Sequence, residues 1–289
     1  MPRLLSAWSE GSLCCKMGKF DGILLVSDLD GTLLDREKRI SKENRDAIAY
    51  FEREGGAFSY VTGRPPFALA PVLEQYRPRI PVGCLNGGGI YDFAANCYVE
   101  RTPLSRDAFA LVDYAIQAFP SMGCEFVTFE TCYLYHSNAA IEELRAFERL
   151  PANYVDSYNV PGELCKLVFS DEPELVTALS EDLSHHPLAG HYALVRTAEK
   201  YYELLPATSN KGNALVRLAH YLGIDVARTI AVGDNSNDAP MLRAAGLGVG
   251  VANATADACA AADVLLEVTN EQHALASLIE QLDRGVYRV

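Results

Sequence analysis

Two carboxylates, Asp28 and Asp30, stand two residues apart where the apolar run Ile23-Leu24-Leu25-Val26 ends and Gly31-Thr32 begins. On an extended chain, positions i and i+2 project to one side, so both acids reach the same space beyond the strand end. Carboxylates this close repel unless a cation lies between them, and hard cations such as Mg2+ take oxygen ligands. Three further segments carry matching chemistry: Thr62-Gly63, Lys211 ahead of Gly212, and the run Gly233-Asp234-Asn235-Ser236-Asn237-Asp238. A hydroxyl, an ammonium group and glycine-loop N–H groups make an anion cradle. A carboxylate can attack phosphorus, and a second can carry the proton of the leaving group. Together these groups suit phosphoryl transfer, which demands charge neutralisation and positioning more than covalent chemistry.

For four separated segments to meet, each must sit at a strand end or a helix start along one edge of a sheet. The pattern meets that demand. Residues 23–26 are apolar without alternation, as in a fully buried parallel strand. Ser41 opens an amphipathic helix with Ala47, Ile48 and Phe51 on one face. Gly55-Gly56 closes it before a strand at Ala57–Val61, which ends at Thr62-Gly63-Arg64-Pro65-Pro66. A short strand from Pro81 to Leu85 runs into the sharp turn Asn86-Gly87-Gly88-Gly89. The same alternation returns with a helix over Lys211–Tyr221, a strand over Thr229–Val232 and a helix over Asn237–Ala245. A strand near Leu247–Val251, a short helix around Ala254–Ala262 and a last helix from Glu271 to Leu282 complete it. Strand–helix alternation of this kind is the signature of a doubly wound, Rossmann-like α/β sheet. Between about Phe93 and Lys200 the segments alternate more and carry more aromatics, as in Glu125-Phe126-Val127-Thr128-Phe129 and Leu164-Cys165-Lys166-Leu167-Val168-Phe169. This stretch reads as an inserted α+β domain with its own antiparallel sheet. The expected division is therefore an extension over 1–20, a core over 21–92 and 201–289, and a cap over 93–200. Met17 would be a natural start for the first strand, with residues 1–16 read as disordered or as the product of an upstream start codon.

At 289 residues the chain has room for two hydrophobic cores. A net charge of −13 argues against nucleic acid or an anionic membrane as partner, since both reward clustered Lys and Arg. Any anionic substrate must be held by a local positive site working against the global field. The eight cysteines (14, 15, 84, 97, 124, 132, 165 and 259) lack metal-ligand spacing and read as reduced thiols of a cytoplasmic protein. No apolar run approaches the ~20 residues of a membrane helix. The pair His185-His186 reads as a polar loop, and nothing in the pattern specifies an oligomeric state.

The run Asp28-Leu29-Asp30-Gly31-Thr32 resembles DxDGT, the first signature motif of the haloacid dehalogenase (HAD) superfamily. With an insertion between the second and third motifs, and with VTGRP, NGGGI, SNKGNAL and GDNSNDAPML, the chain is similar to the Cof-type phosphatases with a type IIB cap. The resemblance covers about 21–92 and 201–270. It implies a Mg2+-dependent phosphatase that hydrolyses a small phosphorylated metabolite, a sugar phosphate or similar, through an aspartyl-phosphate. A phosphotransferase or phosphomutase on the same scaffold, or a non-catalytic sugar-phosphate-binding regulator, are the alternatives. Carried over residue by residue, the resemblance makes Asp28 the nucleophile and a metal ligand, and Asp30 the general acid/base with a metal-binding backbone carbonyl. It assigns Thr62, Gly63, Lys211 and Asn237 to phosphate, and Asp234 and Asp238 to the metal. Arg64 is left open between touching phosphate and packing over the site. Glu125, His136 and Lys166 are the polar cap residues that could face it.

Overall fold

The computed structural model describes residues 18–148, 150–151 and 153–289. In chain order its elements are β1 (Leu24–Ser27), α1 (Lys42–Arg53), β2 (Ala57–Tyr60), α2 (Ala70–Leu73), β3 (Val82–Cys84), β4 (Gly89–Asp92), β5 (Cys97–Arg101), α3 (Phe109–Ala118), β6 (Gly123–Thr128), β7 (Cys132–His136), α4 (Ala139–Glu148), β8 (Leu164–Ser170), α5 (Pro173–Ser184), β9 (Tyr192–Ala198), β10 (Tyr201–Pro206), α6 (Lys211–Leu222), β11 (Thr229–Gly233), α7 (Ala239–Ala244), β12 (Leu247–Gly250), α8 (Ala256–Ala261), β13 (Val264–Leu265) and α9 (Ala274–Asp283).

The continuous apolar run of β1 is explained by its place at the inner part of a parallel sheet of order β13-β12-β11-β1-β2. Both faces are covered, so neither set of alternating side chains meets water. Leu25, Phe58, Ile230 and Val232 pack with Ile48 and Phe51 of α1 and with Leu275 and Leu278 of α9. Leu24, Val26 and Ala231 face the other way, onto Leu215 and Leu218 of α6 and Met241 and Leu242 of α7. Ser41 caps α1 as its position suggests, its side chain accepting from the Asn44 amide. An isolated Val61–Gly83 bridge carries the parallel order towards β3, whose strand pairs with β4, and β4 with β5.

The insertion forms a second, antiparallel sheet of order β7-β6-β8-β10-β9. One of its faces packs on α3 and α5 through Phe126, Leu167, Phe169 and Leu204. By strand alternation Glu125, Val127, Lys166, Val168 and Glu203 lie on the opposite face, and all five border the cavity that holds the candidate site.

Three expected boundaries differ. Tyr201–Pro206, expected with the core, is a strand of the cap sheet, bonded between β8 and β9. Its run Tyr-Tyr-Glu-Leu-Leu has no local mark that separates a cap strand from a core one; only its partners do. The hairpin β4–β5 straddles residue 92. Of the expected extension, Phe20 is buried against Tyr50 and Phe51, and residues 1–17 lie outside the described residues. Among the described residues, no helix is long and apolar enough to cross a membrane.

Candidate active site

The carboxyl ends of β1 and β11, the loop after β2 and the first residue of α6 meet beneath the open face of the cap sheet. They enclose a cavity of about 390 Å3. Asp28, Asp30, Thr62, Gly63, Arg64, Lys211 and Asn237 all line it. Four segments far apart in sequence are thus brought to one place, as their shared position at strand ends and helix starts requires.

Lys211 is the buried centre of charge. A cation at the first turn of a helix opposes the helix dipole, and the structure supplies the reason for it. Its Nζ lies 2.7 Å from Asp28 Oδ1 and 2.5 Å from Asp238 Oδ1. Burial works against its charge, but the two carboxylates prevail and raise its pKa. Asp238 is completely buried and its other oxygen accepts from the amides of Asp234 and Asn235, 3.0 Å each. Both Asp238 oxygens are therefore committed to protein donors, which makes it the group that shapes the 233–238 loop and holds Lys211.

Asp28, Asp234 and Asp238 each offer an oxygen within 4.8 Å of the others. Burial pushes the Asp28 carboxyl up; Lys211 opposes this, and Asp238 and Asp234 add to it. Burial and the Asp238 carboxylate likewise push Asp234 up to about 6. Thr32 Oγ1 donates to Asp234 Oδ1 at 2.6 Å, tying the first motif to the last. Excess buried negative charge on hard oxygen donors is what a divalent cation relieves, so the donor set fits a hard divalent metal ion. Gly31 is required here by space and conformation: its φ is +84°, and an added Cβ would lie 2.4 Å from Asp234 Oδ2.

Asp30 is held differently. Arg64 grips it with both forks, Nε to Oδ2 at 2.8 Å and Nη2 to Oδ1 at 2.7 Å, and Lys38 Nζ lies 2.7 Å from Oδ1. Although burial opposes it, Arg64 and Lys38 hold the carboxyl below its usual range. Arg64 thus engages the second acid of the first motif, a role that neither alternative raised by the sequence includes. Sequence reasoning misses Lys38 altogether, since it sits in a loop with no periodic pattern.

The polar cap residues divide. Glu125 and Lys166 line the cavity, whereas His136 does not; its Nδ1 lies 2.6 Å from the Met122 carbonyl oxygen. Glu125 is paired with the buried Arg145 of α4. Lys166 Nζ lies 2.6 Å from Glu203 Oε1 and 3.2 Å from the Gly63 carbonyl oxygen, so a cap side chain holds the loop after β2. Glu203 Oε2 accepts from Asn86 Nδ2 at 2.9 Å, and Asn86 Oδ1 accepts from Asn237 Nδ2 at 3.2 Å. Asn237 Oδ1, buried at the cavity, has no hydrogen-bond partner among the described residues. Asn86 adopts φ 50°, ψ 36°, a left-handed conformation that asparagine tolerates better than most residues. In the sequence it reads only as part of a turn; the polar residue before three glycines is the available signal. The pair His185-His186 lies at and just past the end of α5, and neither residue lines the cavity.

The sequence pattern of haloacid dehalogenase-like hydrolases matches residues 25–279. A Bacillus subtilis 5-amino-6-(5-phospho-D-ribitylamino)uracil phosphatase is 30% identical, over 91% of this chain and 99% of its own. An Escherichia coli pyridoxal phosphate phosphatase is 25% identical over 84% of this chain and 92% of its own. A solved HAD subclass IIB sugar phosphatase, 19% identical, superposes with a TM-score of 0.77 over 92% of this chain and 100% of that one, and shares the fold. The chain therefore belongs to the haloacid dehalogenase-like hydrolase family, and is an enzyme of the phosphoric monoester hydrolase type found among these relatives.

Proposed function

We propose that this protein is a Mg2+-dependent phosphatase that hydrolyses a small phosphorylated metabolite through an aspartyl-phosphate on Asp28. The observation that carries this reading is the buried Asp28–Lys211 contact at the floor of a cavity whose polar groups include Asp30, Arg64, Thr62 and Asn237. Asp28 and Asp234 would hold the metal through side chains and Asp30 through its backbone carbonyl. Asp238 would act on the metal only by fixing the loop, since its oxygens are already taken. The bound cation would supply positive charge to the phosphoryl oxygens and orient them against the nucleophile.

In this reading an Asp28 oxygen attacks phosphorus while Lys211, Thr62 and the Gly63 loop neutralise the equatorial oxygens. The P–O bond to the alkoxide breaks, and Asp30 gives the leaving oxygen a proton. Arg64 lines the same cavity, so an arriving phosphate dianion competes with Asp30 for the guanidinium. Released from Arg64 and held by Lys38 alone, the Asp30 carboxyl moves back towards its ordinary range and can carry the proton. Water then attacks the aspartyl-phosphate, Asp30 takes the proton back, and Asp28 is restored with inorganic phosphate as product. The relatives named for a ribitylaminouracil phosphate and for pyridoxal phosphate support a small phosphorylated metabolite as the substrate.

Release of inorganic phosphate from p-nitrophenyl phosphate, with Mg2+ and no other acceptor, tests the reading. Asp28→Asn should lose at least about a thousandfold of the rate, as expected for a nucleophile whose loss no neighbour replaces. Full activity in that variant, or a strict need for a sugar acceptor, would refute it.

A further inference from the structure

The cavity has two chemically distinct ends. Its floor is charged and built for phosphate, with Lys211, Thr62 and Arg64 around Asp28 and Asp30. Its roof is largely apolar. Phe67 rises from the core side, while Val127, Cys132, Leu144, Leu150 and Val168 come from the cap. All six belong to, or pack against, one apolar cluster that spans core and cap.

The fully buried polar groups of the cap sheet that line the cavity already have partners, whereas Glu143, Thr197, Tyr201 and Asn235, which line it too, are half-buried or exposed. Glu125 is paired with Arg145, which is itself buried. Lys166 and Glu203 are paired with each other at 2.6 Å, and both are further bound, to Gly63 and to Asn86. A sugar ring placed above the phosphate would present several hydroxyls to this roof. Each one buried without a partner costs the enzyme–substrate complex about a factor of ten.

Resting on the phosphatase reading, we propose that the body esterified to the phosphate is a single, largely apolar ring rather than a polyhydroxylated sugar. The volume agrees, since about 390 Å3 lies near the lower end for small-molecule sites and accommodates a phosphate with one ring. Selectivity then comes from the commitment of the buried cap carboxylates and Lys166 to protein partners, as much as from the packing of the ring against apolar side chains.

Two primary phosphate esters of similar shape make the test: cyclohexylmethyl phosphate and glucose 6-phosphate, which differ in their hydroxyls and ring oxygen. Acetyl phosphate is the third substrate, because it reads the phosphate end alone. With Mg2+ and inorganic phosphate release as the readout, kcat/KM should favour the cyclohexylmethyl ester by about 100-fold, two unpaired hydroxyls at about tenfold each. Phe67→Ala should reduce that ratio by about tenfold; because the ratio is taken within one protein, losses of folded enzyme cancel. Turnover of acetyl phosphate with the two esters within threefold of each other, or with the sugar preferred, would overturn the substrate inference and leave the phosphatase reading standing. An unchanged ratio in Phe67→Ala would overturn the roof's part in it. No turnover of any of the three would sink both.

Discussion

Replacing Lys166 by Met keeps the length of the side chain and removes its charge, which isolates the link between cap and core. Lys166 and Glu203 are 7% and 8% exposed, and their charged atoms lie 2.6 Å apart. With the ammonium gone, the Glu203 carboxylate stays buried with the Asn86 amide on its other oxygen. Breaking a buried pair from one side costs roughly 3–5 kcal/mol, because the surviving charge is left uncompensated. The lower figure is expected here, since Asn86 retains one hydrogen bond. At about 2–4 °C per kcal/mol in a chain of this size class, Lys166→Met should melt about 6–12 °C below the parent. Glu203→Gln should cost about 2–3 kcal/mol for the mirror-image reason. The double variant has neither charge to desolvate and keeps an acceptor for Asn86, so it should cost about 2 kcal/mol less than the sum of the singles. Urea unfolding followed by circular dichroism measures all three. Because Lys166 also donates to the Gly63 carbonyl, Lys166→Met should weaken binding of inorganic phosphate about tenfold, read by titration calorimetry. Additivity of the two single losses to within about 0.5 kcal/mol, together with unaltered phosphate binding, would refute the coupling.

Other consequences are equally direct. Gly31→Ala places a methyl group 2.4 Å from Asp234 Oδ2 in a left-handed backbone, and should cost about 1–2 kcal/mol of stability with weakened Mg2+ affinity by calorimetry. Asp238→Ala strips two loop amides and Lys211 of their acceptor; a loss of about 3 kcal/mol or more in urea unfolding is expected, with Mg2+ affinity reduced. The pH dependence follows from Asp234, whose native pKa of about 6 lies above its ordinary value. A raised carboxyl binds its proton more tightly folded than unfolded, so metal-free protein should gain stability as pH falls through about 6 and stop gaining below about 4. Saturating Mg2+ should cancel or reverse that gain, and melting curves between about pH 7 and 4.5 with and without the ion measure it. Arg64→Met should raise the Asp30 pKa by removing its bidentate partner, seen as a shift of the pH–rate profile to higher pH.

Much of the core was legible because its signals are local. An apolar run that ends in Asp28-x-Asp30, a strand that ends at Thr62-Gly63 and a helix that begins at Lys211 each announce themselves within a few residues. Boundaries were less so: the helix expected over Asn237–Ala245 is a tight turn at Ser236–Asp238 followed by α7. The capping of that turn by Asp238 and Asn235 explains the difference. The last helix starts at Ala274, three residues later than expected, because His273 adopts a left-handed conformation at φ 61°.

What the sequence determined by itself was the kind of chemistry: which side chains stand at strand ends and helix starts, and hence that two acids, a hydroxyl, a lysine and an acidic loop could share one edge of a sheet. The identity of their partners was decided only by the fold. Arg64 and Asp30 are 34 residues apart, Lys166 and Glu203 are 37, and Asn86 and Glu203 are 117. Buried charges take whichever partner the packing brings within about 3 Å, because leaving one unpaired in a low dielectric is too costly. No periodicity along the chain encodes that choice. The same holds for the cavity roof, whose apolar character depends on which face of the cap sheet turns inward.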